Sequence, residues 1–355
     1  MNSRERFRAI THFQPFDRLF HHEMRWFAET IKRWWTEGLR RDDDPARIAG
    51  YDRLETVPVN VGLLYGFDYE TLELTPEYET YRDGDGVIKK KLRGVPEPAM
   101  PQYLEFPLKD RESWRKHFLP RLNPDSPARI PMHWESLKKQ YAVRDFPLGI
   151  SAGSLFGWLR NWMGVENIAV MLYDDPAFVA EMMDHIGDLV VAVLRKVVFE
   201  VPFDFAVMWE DMAYKTASLI SPRHFRQFMT PNYRKITDVL HQSGIDVILL
   251  DSDGNIEELI PLWLEVGVNY LYPMECAAGM DVLKLRKQYG RDLLMGGGMD
   301  KRILARDRKA IDAMIDEKRD LMLEGGYIPG CDHAIPPDVP WANFLHYRER
   351  LARIV

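Results

Sequence analysis

From about residue 146 onward the chain repeats one pattern: a short apolar run, a polar cluster, then a helical stretch. The runs are Phe146–Ile150, Phe203–Met208, Val247–Leu250, Tyr270–Tyr272 and Leu293–Met295, with a last strand starting at Tyr327-Ile328. Asp174-Asp175-Pro176 opens one helix, which runs to about Phe199, with capping acids before a first-turn proline. Ser221-Pro222 opens the next, which ends at Gly244, and a further helix spans 305–323 before Gly325-Gly326. Strands that alternate with helices pair in parallel, and runs apolar on both faces suit strands covered on two sides. No GxGxxG follows the first strand, so a dinucleotide fold is disfavoured. The expected architecture is an α/β fold, a (β/α)8 TIM barrel, with the chain forming a single domain over 1–355.

The first 130 residues read as an elaboration laid against that barrel, with 131–355 as its main run of βα units. Ser3 is the expected cap of a short helix to Thr11. Leu19–Trp26 reads as a strand, 28–39 as an aromatic-rich helix, and 75–110 as a β-hairpin or meander around the turn Asp83-Gly84-Asp85-Gly86. Four prolines between 120 and 132 mark a loop.

The net charge of -7 is not concentrated in blocks, and Lys89-Lys90-Lys91 is the longest basic run. Duplex binding needs a concentrated basic face, so nucleic acid is not an expected partner. No apolar run approaches the ~18 to 20 residues that span a bilayer, and the polar start lacks a signal core. The two cysteines, Cys276 and Cys331, are not in a CxxC motif, so a reduced, cytoplasmic protein is expected.

The polar clusters sit where a barrel puts its chemistry, at the C-terminal strand ends. They are Trp209-Glu210-Asp211 with Tyr214; Asp251-Ser252-Asp253; Glu275 with Cys276; Gly296-Gly297-Gly298; and Cys331-Asp332-His333. An early one is His21-His22-Glu23 with Arg25; adjacent residues of a strand point apart, so at most one of the two histidines faces the mouth. Each cluster also has an ordinary reading as a turn, a cap or an ion pair. Together, Asp251, Asp253, Glu275, Cys331 and His333 offer carboxylate, thiolate and imidazole donors suited to zinc. Of Glu275 and Cys276, Glu275 is the expected inward group.

These residues carry a resemblance to the uroporphyrinogen decarboxylase superfamily over nearly the whole chain. MNSRERFRAITHFQPFDR resembles its opening helix and Pro-x-Asp-Arg turn, and WEDMAYKTASLISPRHFRQFMTPNYRKI its middle strand, loop and helix. DSDGNIEELIPLWLEVGVNYLYPMECAAGMD is similar to the next two βα units, and GGYIPGCDHAIPPDVPWANF to the last. The decarboxylases of that group carry Arg-Gln-Ala-Gly-Arg after the first strand, where this chain has His22-Glu23-Met24-Arg25-Trp26. A tetrapyrrole bearing many carboxylates would meet few cations here. The coenzyme M methyltransferases of the group bind zinc through His-x-Cys and a late Cys. Here the pair is Asp251-x-Asp253 and the late cysteine matches as Cys331.

The resemblance therefore implies a methyltransferase that moves a methyl group from a small methylated substrate, such as a methoxylated aromatic, to the cobamide of a corrinoid-binding partner protein. In this reading Glu210, Asp211 and Tyr214 are the catalytic candidates. His22, Arg25, Trp158 and Tyr272 are the substrate-binding ones; Trp26, Phe156 and Trp162 are further aromatic candidates. A decarboxylase or other lyase acting on a different acid, and a non-catalytic ligand-binding barrel, are the alternatives. The superfamily also implies a possible homodimer.

Overall fold

The computed structural model describes residues 1–95 and 100–355. Seven strands form one parallel sheet whose spatial order follows the chain. They are β1 (Glu55–Thr56), β6 (Leu148–Ser151), β7 (Phe205–Trp209), β8 (Ile248–Asp251), β9 (Tyr270–Tyr272), β10 (Leu294–Met299) and β11 (Tyr327–Cys331). Four others, β2 (Glu70–Leu74), β3 (Tyr78–Arg82), β4 (Ile88–Leu92) and β5 (Gln102–Glu105), make a separate antiparallel meander. This is the meander expected around 75–110, with residues 96–99 of that range outside the described residues.

Alternation along the parallel strands divides two apolar layers. Ala206 and Met208, Ile248 and Leu250, and Leu271 pack outward under the helices. Phe205, Val247, Tyr270, Leu294 and Ile328 pack inward on one another. The helix Ser3–Thr11 lies across the N-terminal end of that inner layer, where Phe7 and Ile10 join it. The Phe7 ring is 5.3 Å from Phe205 and 5.6 Å from Phe20, and Gly326 N–H donates to Ile10 O at 2.7 Å. Burying a phenylalanine side chain here contributes roughly 2–3 kcal/mol. Asn2, rather than Ser3, caps this helix: its side chain accepts from Glu5 N–H while the Glu5 carboxylate returns the bond. Ser3 instead donates to Asp52 at 2.8 Å.

The expected strand at Leu19–Trp26 does not form as such. That segment still runs between the two edges of the sheet. His21 O accepts from Asp52 N–H at 2.8 Å just before β1. Arg25 O accepts from Ile335 N–H at 2.9 Å just after β11, beside a parallel bridge between Trp26 and Ile335. The sheet is thus curled, and one cavity touches β1, β11 and residues 20–24 together. What the hydrogen bonds draw is a seven-stranded curled sheet, with the eighth position held by this irregular segment, short of the regular eight-stranded barrel expected.

Two helices read as continuous are broken. The stretch after Ser221 comprises Pro222–His224, a wide turn over Phe225–Met229, and Thr230–Gln242. Pro231 lacks the N–H that a regular helix would use there. The 305–323 stretch divides at Lys318 into Arg308–Glu317 and Arg319–Glu324. No helix of the described residues is long and apolar enough to cross a membrane.

Candidate active site

The register of the parallel strands sets the mouth. Trp209 pairs with Asp251, and Asp251 with Tyr272, so three strand ends present these side chains on one level. Leu249, two residues before Asp251, lines the cavity, and alternation aims Asp251 to the same side at its rim. Burial pushes the Asp251 carboxyl up to about 7, and the nearby charges of Asp253 and Asp211 add to the rise. The Tyr272 hydroxyl and His333 pull the other way. A carboxyl in this state holds its proton near neutrality and can deliver it.

Around it stands a chain of polar contacts. His333 Nε2 is 3.2 Å from Asp253 Oδ2, and that contact raises the imidazole above its ordinary value. Asp253 N–H donates to Asp211 Oδ1 at 3.2 Å, and Arg160 Nη2 lies 3.4 Å from Asp211 Oδ2. Asp211 takes a φ of 49°, a left-handed conformation uncommon outside glycine, which turns its side chain back over β8. Glu275 accepts from Gly254 N–H at 3.2 Å and from Lys301 Nζ at 3.0 Å. Gly254 must be glycine, since an added Cβ would lie 2.6 Å from the carbonyl oxygens of both Ala213 and Tyr214.

Below the mouth is a cavity of about 220 Å³, lined mainly by apolar and aromatic side chains. Phe7, Phe20 and Phe205 form its floor, and Tyr270, Tyr272 and Leu249 one wall. His22, Glu23 and Cys331 form another part of the wall. None of the lining residues is arginine or lysine. His22 is pushed down to about 4, first by burial and then by the charge of Arg348, so it is neutral at physiological pH. Burial, with Glu23 and Asp332 nearby, pushes the Cys331 thiol well above its usual range.

Of the expected site residues, the structure brings Asp211, Asp251, Asp253 and His333 together at the mouth, and His22, Tyr272 and Cys331 onto the cavity wall. Glu210 is elsewhere. It is fully buried in the helical layer, where it accepts from Leu155 N–H at 2.9 Å, Gly157 N–H at 2.8 Å and Tyr233 OH at 2.6 Å. The backbone turn of Asp211 sends the two neighbours apart, and Glu210 fastens the start of the helix Phe156–Met163 instead of acting on a ligand. Tyr214 is 57% exposed on the following loop, and Arg25 is exposed. Trp158 lines a second pocket, with Asn60, Asp85 and Trp162, at the side of the meander. Phe156 and Trp162 are core, and Trp26 packs beside Trp34.

The five side chains expected to hold zinc do not form one donor set. Asp253 is taken by His333 and Glu275 by Lys301, while Asp251 faces Tyr272 and Cys331 lies beside Glu23. Among the described residues no three His, Cys, Asp or Glu side chains are grouped to hold a metal ion. Two further residues matter, which the sequence placed in polar clusters without giving either a role. Asp332, fully buried, accepts from Cys276 N–H and Lys301 N–H, each at 3.0 Å, and so ties the last strand end to two loops. Glu23 joins the cavity wall to Arg348, a partner 325 residues away that no local pattern reveals.

A solved methyltransferase from Methanosarcina mazei superposes with a TM-score of 0.60 at 13% identity, over 99% of this chain and 98% of its own. At that identity the likeness speaks for the fold. No curated protein matches the sequence significantly. The family profile described as Uroporphyrinogen decarboxylase (URO-D) matches residues 97–353. That span holds six of the seven parallel strands and every carboxylate of the mouth, and by it the chain belongs to the uroporphyrinogen decarboxylase family.

Proposed function

We propose that this chain is a methyltransferase that takes a methyl group from an oxygen of a small methoxylated aromatic and passes it to the corrinoid of a partner protein. The observation that carries the reading is Asp251, whose carboxyl keeps its proton up to about pH 7 at the rim of an apolar cavity. When the methyl carbon–oxygen bond breaks, its electron pair stays on oxygen, and Asp251 gives that oxygen a proton as the charge develops. Tyr272 orients the Asp251 carboxyl, and the His333–Asp253 pair stands beside it at the entrance.

The corrinoid supplies the nucleophile, and a cavity of about 220 Å³ has no room for a macrocycle, so the acceptor meets the methyl group from outside the mouth. The aromatic floor suits a flat ring. The donor groups as paired here do not fit a zinc site, and the leaving oxygen is served by the Asp251 proton. The cation-free wall argues against decarboxylation of a tetrapyrrole, whose carboxylates would lack partners.

The test is to incubate the purified chain with 4-methoxyphenol or methoxybenzene and a reduced corrinoid, free and on corrinoid-binding proteins, and to follow release of the demethylated phenol. Release that depends on both chain and corrinoid supports the reading. Absence of release under all these conditions, with carbon dioxide formed from an aromatic or porphyrinogen acid instead, overturns it in favour of a lyase.

A further inference from the structure

His21 and His22 are neighbours whose side chains part, as adjacent residues of an extended segment do. His21 is 5% exposed, and its Nε2 is enclosed without a partner. His22 is half-buried, and the surface it shows lines the cavity. The rings of Phe20 and Tyr51 each lie 6.4 Å from its own. Among the described residues no hydrogen bond reaches either of its ring nitrogens; burial, Arg348 and Asp52 are what act on the imidazole, and they leave it neutral. Nor are these nitrogens shut in as His21 Nε2 and the Tyr51 hydroxyl are. A neutral imidazole carries one donor and one acceptor, so His22 brings both, unspent, to the cavity.

The rest of the wall decides what uses them. The Tyr270 hydroxyl is a second group of this kind: burial alone raises its pKa, and no hydrogen bond among the described residues engages it. Gly296 leaves it uncovered, since a Cβ there would stand 2.8 Å from the hydroxyl oxygen, and no left-handed φ requires glycine at that position. The polar groups so offered are uncharged. Cys331 keeps its proton, and Glu23 is closed off with Arg348 and the Cys331 N–H. A carboxylate or phosphate brought here would lose its water and find no cation. The remaining surface is aromatic and aliphatic. A cavity of roughly 150 Å³ takes benzene, so about 220 Å³ holds one ring with a small substituent or two. Ether and carbonyl oxygens only accept, and need the donor nitrogen turned to them. A hydroxyl donates or accepts, and pairs with whichever nitrogen faces it.

We infer that His22 is a ligand-binding residue that hydrogen-bonds the hydroxyl of an uncharged phenol held in this cavity. That the phenol is the methyl donor rests on the methyltransferase reading; the bond at His22 does not.

The experiment is calorimetric binding of phenol, toluene and benzoate to the full chain at neutral pH, without corrinoid. Toluene matches phenol in shape and is the more water-averse, so a cavity with no use for the hydroxyl prefers toluene. The unaltered chain should instead bind phenol about tenfold more tightly than toluene, and by about tenfold or more over benzoate. In His22→Leu the preference for phenol over toluene should vanish or reverse; in His22→Gln, which returns a donor and an acceptor, it should persist in part. Nitrogen NMR of the histidine-labelled chain gives a readout that stands even if His22→Leu does not fold. Phenol should shift the ring signals of one imidazole, the one that His22→Gln lacks, and toluene should not. Toluene or benzoate bound as tightly as phenol, no binding of any of the three, or a phenol preference undiminished in His22→Leu overturns the inference. The phenol preference at His22 without methyl transfer overturns only the methyltransferase reading; methyl transfer without that preference overturns only the role of His22.

Discussion

Asp251→Asn isolates the electrostatics of the mouth. In the folded chain the Asp251 carboxyl rises from an ordinary 3.8 to about 7, first through burial and then through Asp253 and Asp211. Between those values the native state holds a proton that the unfolded chain has released, so raising the pH through this window costs stability. A displacement of about three pH units corresponds to roughly 4 kcal/mol. Asp251 is partly open to solvent at the rim, and screening halves this to about 2 kcal/mol. Asparagine keeps the shape and an acceptor for Tyr272 but has no proton to lose. From pH 4 to pH 8.5 the variant should therefore gain about 2 kcal/mol on the unaltered chain. Chemical denaturation of both proteins at the two pH values reads this change, because titrating groups that do not interact with Asp251 cancel in the difference, leaving Asp251 and the neighbours coupled to it, Asp211, Asp253 and His333. A difference in unfolding free energy that is the same at both pH values would refute the argument, and with it the use of Asp251 as an acid near neutrality.

The same variant should lose about 10²- to 10⁴-fold in demethylation rate, and the unaltered chain should slow as pH rises through about 7, read as phenol release. Arg348→Met leaves the Glu23 carboxylate buried without its partner and should cost about 3–5 kcal/mol by denaturation; adding Glu23→Met should recover most of it. Tyr233→Phe removes a donor from buried Glu210, costing about 1–3 kcal/mol while turnover persists, since Glu210 is away from the cavity. Gly297→Ala should abolish soluble expression, because its Cβ would fall 1.9 Å from Pro273 O at a φ of +85°, whereas Gly84→Ala meets nothing within 4 Å and should express normally.

Local pattern was enough to place most of the parallel strands. Tyr270–Tyr272 was legible to the residue, and the runs at 203–208 and 247–250 lie within two residues of the observed strands, because buried parallel strands are short and apolar on both faces. β1 was not legible: two polar residues, Glu55 and Thr56, between Leu54 and Val57 carry no period. Leu19–Trp26 has the composition of a strand, yet its backbone bonds are divided between Asp52 and Ile335, which tertiary contacts decide. At the site, strand alternation put Asp251 at the mouth, and the same rule left Glu210 ambiguous until the left-handed turn at Asp211 sent it outward. Ion pairs across the fold were the illegible part. His333 with Asp253, Glu275 with Lys301 and Glu23 with Arg348 depend on distant loops, and these pairings engage three of the donors that sequence alone assigned to zinc and remake the wall around a fourth.

The helix laid across the N-terminal end of the inner layer puts Phe7 against the cavity from that end. Under the proposed methyl transfer, a ligand using the mouth at the strand ends for both entry and exit would share it with the methyl acceptor. That reading carries an order of events: the ring would go in first, the acceptor arrive second, and the spent phenol stay captive until the acceptor moved away. Turnover would then be paced by the comings and goings of a macromolecular partner as much as by bond breaking, and excess acceptor would inhibit by keeping the mouth shut.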